Sequence, residues 1–258
     1  MSNQPENHEP EEQLAEGTLM SHLLELRSRL MKAVFAVVAV VIALTPFTQP
    51  IFEFMSEPLR RVVPGGQLIV TKVASPFLTP FKTTFFVALF IAMPYVLFQV
   101  WQFVAPGLYR REKRFALPLI VSSILLFYIG IAFAYFIVFR VMFSFFARST
   151  PTGVAMTPDI DAFLDFALKM FLAFGLVFEV PIATLMLVWS GLVSLQTLTK
   201  VRPYMLIVAF TVGLLIAPDV FSQTLLAIPM YLLYESGLLL ARFLLPEKTR
   251  VVEKEAGT

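Results

Sequence analysis

The segment at residues 163–189 reads FLDFALKMFLAFGLVFEVPIATLMLVW and decides the fold of the chain. It is long and apolar enough to cross a bilayer, which takes about 20 residues, yet Glu179 lies well inside it. A charged side chain at membrane depth costs about 2.5–3.5 kcal/mol on insertion scales, so such residues usually mark function. At about 100° per residue, Asp161 returns to the face of Glu179, and Asp165 lies about 40° away. We therefore predict a central membrane helix, bent near Pro181, with a functional carboxyl group; a structural glutamate paired with a neighbouring helix is the alternative.

The composition indicates an integral membrane protein. Of the 258 residues, 58% are hydrophobic and 15% are charged, whereas a soluble domain is about half apolar and about a quarter charged. The sequence contains no cysteine, which excludes disulfides and thiolate chemistry. Both histidines, His8 and His22, precede the first apolar run, which excludes a histidine-based active site or metal site within the membrane. No metal or other cofactor is therefore expected.

Apolar runs predict an all-α membrane protein with six transmembrane helices in a concave bundle. The predicted spans are residues 30–47, 81–104, 115–146, 163–189, 203–217 and 220–240. Spans five and six are expected to be short, because the fifteen residues of span five reach only about 22 Å, against a hydrocarbon core of about 30 Å. A short hairpin beside the helix that carries Glu179 predicts a polar, water-accessible wall, which is the reason for expecting a concave shape.

Polar and charged segments flank the predicted bundle. Residues 1–17 are acidic and almost without apolar side chains, which predicts a disordered tail. Residues 18–29 are expected to form a short amphipathic helix at the membrane surface, and residues 48–77 a long connection. The six-helix domain is predicted at 18–243, followed by a C-terminal tail at 244–258. Thirteen of the twenty Lys and Arg residues flank the starts of odd-numbered spans or lie at residues 242–258, so the positive-inside rule predicts that both termini are cytoplasmic.

The absence of common nucleotide-binding and catalytic motifs reduces the number of function classes that the sequence supports. No G-x-x-x-x-G-K-[ST], H-E-x-x-H or G-x-S-x-G sequence occurs, so we expect neither nucleotide hydrolysis nor another enzymatic activity. The remaining reactive groups are carboxylates. Glu25 and Glu112 lie on the same predicted side of the membrane, and each could accept a guanidinium through two hydrogen bonds. The simpler alternatives are an ion pair of Glu25 with Arg29, one helical turn away, and a loop acid neutralised by its basic neighbours for Glu112.

Eight short segments between residues 21 and 243 form a pattern that is specific as a set. They read HLLELRSRL (22–30), SEPL (56–59), VASPF (73–77), QVWQFVAPGLY (99–109), EKR (112–114), FYIGIAFAYF (127–136), FGLVFEVP (174–181) and PDVFSQTLLAIPMYLLYE (218–235). Each segment alone is a weak signal. In this order on six spans, they resemble the TatC family, the multi-span receptor subunit of the twin-arginine protein translocase.

The resemblance implies a function and a set of site residues. TatC-like proteins bind signal peptides with paired arginines at the cytoplasmic face of the bacterial cytoplasmic (inner) membrane. They form homo-oligomeric receptor complexes and support the export of folded proteins with TatA- and TatB-like single-span partners, driven by the proton-motive force and not by ATP. By position, the resemblance implies signal-peptide binding by Glu25, Glu112, Phe103, Arg27, Lys113 and Arg114, an intramembrane polar partner site at Glu179 and Gln223, and outer-loop roles for Pro58 and Asp219.

One short link departs from the pattern of the family. Relatives often have a threonine and a second proline before the aspartate, whereas this chain has Ala217-Pro218-Asp219, which leaves the role of Asp219 open. A competing interpretation, from a different class of protein, is a proton-coupled secondary transporter that uses Glu179 as the proton carrier, since burial of a carboxyl group favours its neutral form.

Overall fold

The structure is a computed structural model that describes residues 9–62, 68–104, 113–151, 154, 157–216 and 219–244. Throughout these residues the fold is all α, as predicted. The helices, in chain order, are α1 (Glu9–Leu44), α2 (Thr48–Val62), α3 (Ser75–Val104), α4 (Lys113–Phe133), α5 (Phe139–Ser149), α6 (Ile160–Val177), α7 (Val180–Trp189), α8 (Leu195–Lys200), α9 (Arg202–Ile216) and α10 (Val220–Leu244). A five-residue π-helical segment, Ala134–Val138, joins α4 to α5.

The length and apolarity of the helices are those of a multi-pass membrane protein. Five stretches of the described chain are long and apolar enough to cross a bilayer: Leu23–Glu57, Ser75–Val104, Leu117–Ser149, Ile160–Trp189 and Val220–Leu244. Helix α9 is also apolar but has only 15 residues, as predicted for span five. The concave shape of the bundle and the count of six crossings stay predictions.

The first helix is longer than predicted. Residues 18–29, predicted as a separate surface helix, continue without a break into the first span, because no proline or glycine occurs between Thr18 and Leu44. Helix α1 begins at Glu9, inside the predicted tail, and the predicted domain boundaries stay predictions. It ends before a 3₁₀ turn at Thr45–Phe47 that contains Pro46, which cannot continue the α-helical hydrogen bonding. Helix α2 then forms in what was predicted to be a connection.

The last helix is also longer than predicted. Helix α10 has 25 residues and so reaches about 37 Å, which is enough to cross a bilayer; the prediction that span six is short is therefore wrong. The helix continues past Leu240 through Arg242 to Leu244, and the next proline after Leu240 is Pro246.

The segment that decides the fold lies at the centre of the structure. In the most apolar part of Ile160–Trp189, 67% of the residues are buried, compared with 6% in Leu23–Glu57. A helix that is apolar on all sides and buried on most of them belongs inside a bundle, whereas one with exposed apolar side chains faces lipid. The largest fully buried side chains come from α6 and its neighbours and include Phe127, Phe139, Met142, Leu164, Leu168 and Phe174.

Two glycines allow helices to cross closely at this centre. A Cβ atom on Gly130 of α4 would overlap the backbone carbonyl oxygen of Phe174 and lie 2.9 Å from its carbonyl carbon. A Cβ atom on Gly237 of α10 would lie 2.9 Å from the Cα atom of Pro181. Small residues at helix crossings are the usual means of close packing in membranes, so both crossings depend on the missing side chain.

Candidate functional site

The first candidate carboxylate, Glu25, lies on α1 and is held by a basic residue one turn further along. Arg29 donates hydrogen bonds from Nε and Nη2 to the same oxygen of Glu25, Oε1, at 2.9 and 2.7 Å. The third nitrogen of the guanidinium, Nη1, donates to Oε1 of Gln102 near the end of α3. The side chain of Glu25 remains 36% exposed. The ion pair that the sequence offers as the simpler alternative is therefore present, and it joins α1 to α3.

The structure describes only some of the other residues that are expected to bind a signal peptide. Arg27 is exposed on α1, and Phe103 is partly buried next to Gln102. Lys113 and Arg114 are the first two residues of α4. Glu112 lies outside the described residues. The structure thus brings Glu25 to the end of α3 that carries Phe103, and the relation of Glu112 to this pair stays a prediction.

The second candidate carboxylate, Glu179, lies where the central span is interrupted. Helix α6 ends at Val177 and α7 begins at Val180. Pro181 has no N–H to donate to the carbonyl group of Val177, four residues earlier, and the N–H of Glu179 donates to the carbonyl oxygen of Leu176 at 3.1 Å. The bend predicted near Pro181 is confirmed.

The Glu179 side chain is buried, with 7% exposure, and accepts a hydrogen bond from a neighbouring helix. The Ser123 hydroxyl of α4 donates to Glu179 Oε2, and the indole Nε1 of Trp101, on α3, donates to Ser123 Oγ at 2.8 Å. The other carboxyl oxygen, Oε1, has no hydrogen-bond partner among the residues that the structure describes. Burial of a polar atom without a partner is costly, so Oε1 is an unused acceptor inside the protein.

Sequence reasoning did not find Ser123 or Trp101. They lie 22 residues apart, and Ser123 precedes Glu179 by 56 residues, so no local pattern connects the three. Two glutamines of α3 differ in their contacts: Gln102 accepts a hydrogen bond from α1, whereas Gln99 is buried and its Oε1 is unpartnered within the described chain. Gln223 lies on α10, where its Cα atom faces Gly213 of α9.

The carboxylates at the start of α6 are neutralised, in contrast to Glu179. Lys82 of α3 contacts Asp161 at 2.7 Å and Asp165 at 3.1 Å. Lys72 contacts Asp161 at 3.2 Å, and Lys169 contacts Asp165 at 2.7 Å. The face predicted to be acidic at its start is therefore a network of ion pairs between α3 and α6, and this network orders the two helices.

Asp159 fastens the chain before α3 to the start of α6. Its Oδ2 accepts hydrogen bonds from the hydroxyl and the N–H of Thr71 at 2.6 and 2.8 Å, and its Oδ1 accepts from the N–H groups of Asp161 and Ala162, which caps the helix. The backbone of Ile69 adds two hydrogen bonds beside them. The hydrogen bonds that the Asp159 carboxylate accepts lower its pKa from 3.8 to about 2, and the bond from the Thr71 hydroxyl has the largest effect.

Asp159→Asn is expected to destabilise the protein at neutral pH and to have a much smaller effect near pH 2. A carboxylate with a lowered pKa stabilises the folded state fully above its unfolded pKa, and that contribution disappears as the pH falls through the folded value. The amide of asparagine still caps α6 but carries no charge. Thermal unfolding of both proteins between pH 6 and pH 2 should show the difference in Tm shrinking below about pH 4. A difference that is constant with pH would contradict the prediction.

The structure assigns a local role to one of the two residues implied for the outer loops. Asp219 precedes α10, and its Oδ1 accepts a hydrogen bond from the N–H of Ser222 at 2.7 Å, which is the geometry of a helix N-cap. Pro58 lies within α2, and its side chain is outside the described part, as are Ala217 and Pro218.

Comparisons with known proteins agree with this architecture. The family model for the Sec-independent protein translocase protein (TatC) matches residues 21–229. The Sec-independent protein translocase protein TatC of Haemophilus influenzae is 52% identical over 231 residues, which are 89% of this chain and 90% of that protein. The TatC protein of Escherichia coli K12 is 49% identical over 227 residues, covering 87% and 88% of the two chains.

A solved structure shows the same fold. The crystal structure of the twin-arginine translocase receptor TatC superposes with a TM-score of 0.78 at 36% identity, covering 86% of this chain and 98% of that one. The family model and both relatives extend over most of the chain. The chain therefore belongs to the TatC family of Sec-independent protein translocase proteins.

Proposed function

We propose that this protein is the receptor subunit of a twin-arginine translocase, which binds signal peptides with paired arginines at its cytoplasmic face. The observation that carries the proposal is the position of Glu25 in a chain of this family. Its carboxylate is partly exposed where α1 meets α3. The contact on α3 is Gln102, which immediately precedes Phe103. Glu112 is the second acidic contact for the arginine pair, and Lys113 and Arg114, which follow it, belong to the neighbouring recognition surface.

Charge alone is too weak for this recognition. An exposed ion pair contributes about 0–1 kcal/mol, so two arginines need additional contacts. Burial of one large aliphatic side chain contributes about 1.5–3 kcal/mol, and a signal peptide carries a run of such residues after its arginines. Arg27 is exposed on the same helix. The carboxylates then select the arginine pair, and apolar contacts supply most of the affinity.

The receptor lies in the bacterial cytoplasmic (inner) membrane with both termini in the cytoplasm. Support for this orientation comes from the basic residues that flank the starts of odd-numbered spans and fill the C-terminal tail. Since no nucleotide-binding motif occurs in the sequence, the proton-motive force supplies the energy, at about 2.3 kcal/mol per charge per 100 mV of membrane potential.

Glu179 is proposed to bind a partner helix. Its Oε1 is buried, and no hydrogen-bond donor in the described residues reaches it, so a polar side chain from a TatA- or TatB-like single-span protein would supply the missing bond. Gln223 belongs to the same proposed site. Membership in a translocase family favours this role over the alternative of a proton carrier in a secondary transporter.

Glu25→Ala and Glu112→Ala are each expected to reduce site-specific crosslinking of a twin-arginine signal peptide without loss of membrane insertion. The physical reason is the loss of a charge-assisted acceptor for guanidinium. Crosslinking yield in inverted membrane vesicles, with the amount of inserted protein measured in parallel, is the readout. Glu53→Ala is the matched control, because Glu53 is an exposed acid on α2. Undiminished crosslinking in both variants would refute the proposal.

A further inference from the structure

We propose that Arg29 is a built-in counter-ion of Glu25, and that a signal-peptide arginine binds by displacing it. The inference rests on the proposed function, since it concerns how the same carboxylate recognises its ligand. In this scheme Arg29 and Gln102 determine specificity: they make the site select an arginine guanidinium over a lysine ammonium.

The geometry of the ion pair carries the inference. Two nitrogens of Arg29 converge on a single oxygen of Glu25, Oε1, so among the residues that the structure describes the carboxylate is held through one oxygen and not through both. The third nitrogen is held by Gln102 on another helix. The guanidinium therefore has a fixed position, with 21% of its side chain exposed, against 36% for Glu25. A cation that reaches Glu25 from the cytoplasm meets a carboxylate that is already occupied.

An exchange of cations favours a ligand that binds better than Arg29 does. A free guanidinium can approach both oxygens of a carboxylate in parallel, which is the strongest geometry for this pair of groups. An ammonium group is a point charge without this fork, so it gains no geometric advantage over the resident guanidinium. Displacement of Arg29 is therefore favourable for an arginine and close to neutral for a lysine. A ligand binds Glu25 only if its own contact with the carboxylate is stronger than that of Arg29.

Substitution of neighbouring charges on α1 can distinguish displacement of Arg29 from simple electrostatic repulsion of the peptide. Arg27 and Lys32 are exposed on the same helix, and they repel any cationic peptide irrespective of its geometry. Removal of Lys32 eliminates one positive charge near the site, as removal of Arg29 does, but it does not release Glu25. Comparison of the two substitutions therefore tests displacement against electrostatics.

The experiment measures the binding of two synthetic signal peptides, one with Arg-Arg and one with Lys-Lys, to the purified full-length protein in nanodiscs. In Arg29→Met, we expect the affinity for the Lys-Lys peptide to rise about fivefold, as expected for release of an exposed ion pair, with a smaller gain for Arg-Arg. The ratio between the two affinities should fall. Gln102→Ala should shift the ratio in the same direction by a smaller factor, and Lys32→Met should leave it unchanged.

Each other outcome overturns a defined part of the scheme. An unchanged ratio in Arg29→Met, weaker binding of both peptides, or an equal shift in Lys32→Met would refute displacement. Should Arg29→Met not fold, as judged by size-exclusion chromatography, the ratio in Gln102→Ala decides. Glu25→Ala separates the two levels: intact binding of the Arg-Arg peptide there would refute the proposed function, whereas lost binding with an unchanged ratio in Arg29→Met refutes only the role of Arg29.

Discussion

Gly130→Leu is expected to prevent the formation of the folded protein. Even the first atom of the new side chain would overlap the backbone carbonyl oxygen of Phe174 and lie 3.0 Å from the Cα atom of Gly175. Both obstacles are backbone atoms of the most buried helix, so no change of rotamer relieves the clash. Overpacking of a core costs about 1–3 kcal/mol, occasionally more, and we expect the upper end of that range or beyond, because α4 and α6 must move apart.

The measurement for Gly130→Leu is the yield of monodisperse protein in detergent and its Tm. Ala132→Leu is the matched control: it adds a large side chain two residues further along the same helix, at an exposed position. The control should retain the yield and the Tm of the unmodified protein. Equal behaviour of the two variants would show that the crossing tolerates separation, and the argument from close packing would then be wrong.

The second large effect is expected from Ser123→Ala, which removes the hydrogen-bond donor to Glu179. Loss of that hydroxyl leaves both oxygens of a buried carboxyl group without a partner in the described chain, and it also removes the acceptor of the Trp101 indole N–H. An unsatisfied buried polar group costs about 1–3 kcal/mol, and here two groups lose their partner. We expect about 2 kcal/mol or more of destabilisation and a displaced Glu179 side chain.

Two readouts test the Ser123→Ala prediction. Thermal unfolding reports the stability, and disulfide crosslinking between a cysteine introduced near Glu179 and a single-span partner reports the proposed binding site; the absence of native cysteines makes this crosslinking unambiguous. Ser122→Ala is the control, since Ser122 has the same chemistry one residue earlier but is only partly buried. A fall in Tm with unaltered crosslinking would confine Ser123 to a structural role.

Local features of the sequence were sufficient to predict the central helix and its bend. The length and apolarity of residues 163–189 indicate a buried span, and Pro181 marks the break, because both effects act within a few residues along the chain. The ends of helices were harder to predict. Helix α1 extends into a polar segment although that segment contains Gly17, and its Pro10 lies in the first turn, where a proline is tolerated. Helix α10 continues past Leu240, since no proline occurs before Pro246.

The contacts that define the candidate sites could not be read from the sequence. Arg29 and Gln102 are 73 residues apart, and Ser123 and Glu179 are 56 apart. Whether such pairs meet is decided by how whole helices pack, and no single-sequence periodicity carries that information. The ion pair between Glu25 and Arg29 could be predicted, since residues four apart on a helix are neighbours; its attachment to α3 could not.

The hydrogen bonds between Thr71 and Asp159 have a consequence for biogenesis. They join residues 88 positions apart, and α3, α4 and α5 all lie in the loop that they close. Because the N-terminal part of a chain emerges first from the ribosome, residues 68–71 have no partner until these three helices have been synthesised. The hydrogen bonds between Thr71 and Asp159 therefore form late, after the middle of the chain has left the ribosome.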